Sequence, residues 1–240
     1  MVLNSDSDIT FDDCYKLRTE CSEELVIERN TDGGMKAMSM IPDPRSLLSL
    51  PAIYTLFQRV VRGRGEFVYV QRHVRPRPGD RILDLGCGTG DILRHMPAVE
   101  YLGIDSDERL IESARKIYGE RGAFSCLDLS KQNIPESGNF DLVVATGVLH
   151  HLTDDQALRL FKLAHTVLKP GERLVTMDGC YAEGQSFLAR LILSKDRGKH
   201  VRTKSHCIEL ASQVFTKVEA TIYHDIMRIP SSMIILECSD

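Results

Sequence analysis

Three glycines crowd five positions inside "RILDLGCGTGDILRHMP" (81–97), directly behind a short apolar run where a core would not favour them. Glycine reaches positive φ and lacks a β-carbon, so Gly86, Gly88 and Gly90 can bring backbone amides close to a ligand. Their spacing is not the G-x-G-x-x-G of a dinucleotide cradle, because the sixth position is Asp91 and the third glycine comes one residue early. Two carboxylates follow in order. Asp105 closes "EYLGID", at the distance where an acidic side chain accepts hydrogen bonds from ribose hydroxyls. Asp128 in "CLDL" stands beside Leu129, an acceptor for an adenine amine against an apolar wall. A single aspartate at a strand end is more often a cap or turn residue, but in this order, behind this loop, the two describe an adenosine pocket. A second group lies further on. "VLHHL" supplies His150 and His151, side chains that titrate near neutral pH and can take up a proton. "LVTMD" ends in Asp178, a carboxylate able to orient a histidine and stabilise its imidazolium. The competing reading is structural, with one histidine packing or capping the turn before "TDD".

The elements that must position these groups alternate short apolar runs with amphipathic stretches, the signature of a mostly parallel α/β sheet. Strands are predicted at "RILDL", "EYLGID", "AFSCLDL", "FDLVVAT" and "GERLVTMD", with a closing pair at "VFTKVEATIYHD" and "SSMIILECS". Helices are predicted over "DERLIESARKIYG", stopping at Gly119, and over "TDDQALRLFKLAHTVLKPG". In the second, Thr153 and Gln156 have capping-box spacing, and Ala157, Leu160, Phe161, Ala164, Val167 and Leu168 share a face that ends by Pro170 and Gly171. Upstream, Leu47, Leu50, Tyr54, Phe57 and Val61, then Phe67 and Val70, recur at helical spacing around "GRG", which predicts two helices before "RPRPGD". Residues 1–44 form an acidic, weakly periodic leader or lid, and 45–240 a single domain with a partly basic insertion at about 179–205.

Composition narrows the function. A chain of 240 residues, 42% hydrophobic, suits one domain with a sizeable core. The net charge of -4 and pI near 6.1 leave no overall basic footprint for nucleic acid. Seven scattered cysteines without a C-x-x-C pair suggest neither a disulfide framework nor a metal site. The expectation is a cytoplasmic protein without a membrane span or signal peptide. Its oligomeric state stays open.

"RILDLGCGTGDIL", "YLGIDSDERLIESAR", "FSCLDL", "FDLVVATGVLHHL" and "LKPGERLV" together resemble the class I S-adenosylmethionine-dependent methyltransferases over roughly residues 80–178. The resemblance implies a Rossmann-like, seven-stranded, mostly parallel sheet with helices on both faces and only the last strand antiparallel. It implies S-adenosyl-L-methionine as cofactor, with Asp84, Gly86 and Gly88 around its methionine portion. Asp105 would meet the ribose, Asp128 and Leu129 the adenine, and Cys87, Gly90, Ser106 and Thr146 would also line the cofactor. Tyr54, Gln58 or Arg64 would meet the cofactor carboxylate from the preceding helices. His150 and His151 would then stand beside the transferred methyl, with Asp178 on the neighbouring strand, an arrangement similar to that of O-methyltransferases acting on sugars attached to natural products. The stretch "ATGVLH" lacks an Asn-Pro-Pro-Tyr-type motif, which favours oxygen over nitrogen as acceptor. Substrate contacts are expected from Tyr181, Gln185, Phe187 and Arg197. Arg190, Lys195, Arg197, Lys199, Arg202 and Lys204 would attract an anionic small molecule, although a solvated helix end explains such a run equally simply. The alternatives are an RNA methyltransferase using the basic insertion, and a cofactor-binding regulatory protein without catalysis.

Overall fold

The computed structural model describes residues 64–128, 139–194 and 198–240. The expected leader, the stripe from Leu47 to Val61 with Tyr54 and Gln58, and Leu129, Lys195, Asp196 and Arg197 lie outside the described residues.

The apolar runs become strands β1 (Arg81–Leu85), β2 (Glu100–Asp105), β3 (Ala123–Cys126), β4 (Phe140–Thr146) and β5 (Leu168–Tyr181), all parallel and ordered β3-β2-β1-β4-β5. β6 (Arg202–Thr203) adds a two-residue parallel pair at the end of β5. β7 (Lys217–Tyr223) and β8 (Met233–Ser239) complete the sheet, and β8 enters antiparallel between β5 and β7. The last strand is therefore the antiparallel one, as expected.

Strand residues alternate between two buried layers because successive side chains point to opposite faces. Leu83, Leu85, Val143, Ala145 and Leu174 pack against helix α3 (Asp154–Val167) and helix α5 (Lys204–Ala211) through Ala157, Leu160, Phe161, Cys207 and Leu210. On the other face Ile82, Leu142, Val144 and Val175 meet Ile111 and Ala114 of helix α2 (Glu108–Tyr118) and Tyr69 of helix α1 (Gly65–Tyr69). The Thr153 capping box forms in full, its side chain accepting from the Gln156 amide while the Gln156 side chain accepts from the Thr153 amide.

Three expectations are corrected. α1 runs into a π turn at Val70–Val74 and buries Glu66, Tyr69, Val70 and Val74, leaving Phe67 52% exposed rather than on the apolar stripe. Glu66 is buried because Arg94 pairs with it. β3 stops at Cys126, so Asp128 lies in the connection beyond the strand. β5 does not end at Asp178 but continues to Tyr181, held by β8 through Gly179 and by β6 through Cys180 and Tyr181. Within residues 179–205, helix α4 (Phe187–Ser194) and β6 follow the extended strand.

Candidate active site

Strand order reverses around β1, whose neighbours are β2 on one side and β4 on the other, and ligands bind such sheets beyond the carboxyl ends at this point. Two glycine turns meet there. Gly86, Gly88, Gly90 and Gly147 all have positive φ, at 74°, 55°, 69° and 70°. Their surroundings separate their roles. A β-carbon on Gly86 would come within 2.5 Å of Val148, and one on Gly90 within 2.8 Å of Phe124, so both are demanded by packing inside the protein. At Gly88 a β-carbon would meet nothing within 4 Å among the described residues, unlike at the other two.

Asp105 is joined to that loop. Its Oδ2 accepts the Gly88 N–H at 2.8 Å and its Oδ1 the Asp107 N–H at 3.0 Å, which fixes the carboxylate and leaves each oxygen further accepting capacity. Asp84 is only 2% exposed and accepts the Tyr101 hydroxyl. Burial, reinforced by the Asp84 charge, pushes the Tyr101 phenol well above its ordinary range and keeps it a donor. Asp84 thus ties the end of β1 to β2. Cys87 turns its Sγ toward Gly103, where an added β-carbon would lie 2.8 Å away, and its thiol donates to the Gly88 carbonyl at 3.6 Å. Ser106 is exposed, Asp128 half-buried, and Thr146 half-buried at the end of β4. Arg64 is exposed just before α1. An open glycine backbone beside an amide-fixed carboxylate fits the diol and chain of an adenosyl cofactor, and Asp105 with the Gly86–Gly88 backbone would hold it.

His150 and His151 occupy a 3-10 turn, Leu149–His151, immediately after the second glycine turn. His150 Nδ1 lies 2.8 Å from Asp178 Oδ1, which also accepts the His150 backbone N–H at 3.3 Å. Both side chains are largely buried, at 12% and 3% exposed. His151 is exposed and stacks on the His150 ring with centroids 4.0 Å apart. The two histidines are therefore not equivalent, since only His150 is paired with the carboxylate in the hydrogen bonds described.

The expected substrate residues differ in their settings. Tyr181 lies beneath the Arg190 guanidinium, 5.5 Å from ring centroid to carbon, while Gln185 donates to the Cys180 carbonyl at 3.3 Å. Phe187 is 81% exposed on α4, and Arg197 lies outside the described residues. Arg202 requires a correction: it does not extend the basic surface but is 7% exposed and fully engaged around the histidine turn. Nothing local marked it, because its partners lie about 50 residues earlier in the chain.

The chain is similar to several known proteins. Residues 82–171 match a family described as the methyltransferase domain. The chain is 29% identical over 168 residues to an O-methyltransferase of Pyrenophora dematioidea, covering 60% of this chain and 62% of that one. It is 35% identical over 101 residues to a probable tRNA methyltransferase 9B of Mus musculus, covering 41% of this chain and 22% of the relative. The chain thus spans less than two thirds of these relatives' lengths. Among solved structures, phosphoethanolamine N-methyltransferase 2 of Haemonchus contortus, in complex with phosphomonomethylethanolamine and S-adenosylhomocysteine, shares the fold. Its TM-score is 0.66 at 13% identity, over 81% of this chain and 58% of that one. Residues 82–171 thus match the methyltransferase-domain family, and the chain shares its fold with a methyltransferase of known structure.

Proposed function

We propose that this chain transfers a methyl group from S-adenosyl-L-methionine to a hydroxyl oxygen of a small molecule, with His150 as general base. The observation that carries the reading is the His150–Asp178 pair, 2.8 Å apart, at the carboxyl edge of β4 and β5 beside the glycine turns. S-adenosyl-L-methionine supplies an already activated methyl on a sulfonium, so the protein's work is alignment and proton removal. In this reading Asp178 holds Nδ1, which directs proton exchange through Nε2. The acceptor hydroxyl gives its proton to Nε2 as its oxygen takes the methyl, and Asp178 stabilises the resulting imidazolium. Asp105 fixes the adenosyl portion through its amide-held carboxylate. Arg190, Lys199 and Lys204 are exposed near the end of β5 and favour an acceptor that carries negative charge.

A second reading is methylation of RNA, favoured by the likeness to a tRNA methyltransferase. One experiment separates them. Transfer from labelled S-adenosyl-L-methionine is followed with hydroxylated, anionic small molecules and with bulk tRNA, using wild type and His150→Ala. We expect labelled small-molecule product, with turnover falling about 10²–10⁴-fold in His150→Ala. Product on tRNA alone, with affinity falling steeply as salt rises, would instead establish the second reading. Equal turnover in wild type and variant would remove His150 from the chemistry.

A further inference from the structure

We propose that Arg202 is a positioning residue that sets the placement of the His150 turn against Asp178. This rests on the reading of His150 as the base. The two members of the pair stand on different elements, Asp178 within β5 and His150 on the turn after β4. Their 2.8 Å contact therefore depends on something that fixes the turn relative to the strand. Arg202 belongs to both places. Its backbone joins β5 through the pairs Cys180↔Arg202 and Tyr181↔Thr203, just past Asp178. Its side chain reaches the turn. Nη1 donates to the Leu149 carbonyl at 2.7 Å, and Nη2 to the Leu152 carbonyl at 2.6 Å, on either side of the histidines.

The carbonyl between them is held by the same segment. The His200 N–H donates to the His150 carbonyl at 3.0 Å, and Arg202 Nη1 also reaches the His200 carbonyl at 3.2 Å. Gly198 closes the arrangement: a β-carbon there would lie 2.1 Å from His150 Cδ2, so the backbone of 198 lies directly against the ring. The remaining edge of the guanidinium is anchored by Asp154, with Nε to Oδ1 at 2.8 Å. A planar fork satisfies four acceptors in fixed directions, which an ammonium cannot reproduce. A buried arginine with this set is a brace between strand and turn. It lies outside the adenosyl loop, so its effect on chemistry passes through His150.

The test reads the His150 ring directly and needs no known acceptor. Full-length protein labelled with ¹⁵N at histidine gives imidazole correlation spectra, with the His150 signal assigned from His150→Gln. At a pH where the ring is neutral, wild type is expected to show one tautomer, protonated at Nδ1 toward Asp178. In Arg202→Lys, which keeps the charge and loses the fork, that pattern is expected to average between tautomers. The signal of His73, held by Glu237 at 2.8 Å and by Tyr223 at 2.9 Å, serves as control and stays unchanged. An unchanged His150 pattern in folded Arg202→Lys overturns the proposal. Should that variant not fold, Asp154→Asn, whose parent side chain is 53% exposed, carries the same readout, and an unchanged pattern there overturns it as well. Calorimetry with S-adenosyl-L-methionine runs alongside. Absence of binding by wild type would count against the methyltransferase reading, while the ring spectra still decide the role of Arg202.

Discussion

At the scale of single residues, the glycine loop divides into parts with different duties. All three glycines adopt positive φ, but among the described residues only Gly88 has nothing in the way of an added β-carbon; Gly86 and Gly90 are hemmed in by Val148 and Phe124. Gly88→Ala should cost about 1–2 kcal/mol of backbone strain and lower cofactor affinity, because its amide is what orients Asp105. Gly90→Ala adds a steric clash to the same strain and should be the less stable protein. Thermal unfolding and calorimetry on both variants check the order, and a more stable Gly90→Ala would contradict it. The sequence made the loop visible as a whole through its spacing. It hid the division of labour, since Val148 and Phe124 approach from 62 and 34 positions away in the chain.

At the scale of elements, the proposed chemistry depends on how β5 continues past Asp178 and on the proposed brace that returns from β6 to the histidine turn. α3 takes part through its first residue. Asp154 receives the Arg202 guanidinium, which holds its carboxyl below the usual range despite some desolvation, and the nearby His206 acts in the same direction. A carboxyl whose pKa is lowered on folding stabilises the fold above its unfolded value and loses that contribution as pH falls through the folded one. Asp154→Asn should therefore lower the unfolding midpoint near neutral pH, with the difference from wild type vanishing on acidification below 3.8. The loss should be modest, because the carboxylate is half exposed and screened. A gap that widens in acid would contradict this assignment. α3 itself was readable from its capping box and apolar face. The brace was not, because a basic residue among other basic residues carries no sign of burial.

At the scale of the molecule, the sheet is covered on both faces, and its core was legible because strands buried on both sides read as nearly continuous apolar runs. Ile82 and Leu83 enter opposite layers, as do Leu142 and Val143. What local pattern could not supply was the extent of elements whose ends depend on distant partners: β3 stops before Asp128, and β5 lengthens because β6 and β8 pair with it. Of the site, the carboxylates and histidines were visible as residue types in sequence, whereas the choice of His150 over His151 required the fold. Burial also governs the thiols. It pushes Cys180, Cys207 and Cys238 up to about 12, so near neutral pH they are protonated as well as shielded. Mass spectrometry after native alkylation should find these three unmodified until the protein is unfolded; rapid native modification would contradict the packing described. Among the described residues no helix is long and apolar enough to cross a membrane.

The most direct measurement is calorimetric titration of wild type and Asp105→Ala with S-adenosyl-L-methionine and S-adenosylhomocysteine. Wild type should bind both, and removing the carboxylate should weaken each by about ten- to a hundred-fold, the worth of hydrogen bonds to a charged acceptor. Folded wild type that binds neither compound, or an Asp105→Ala variant that binds as tightly as wild type, would contradict the adenosyl site on which the account rests.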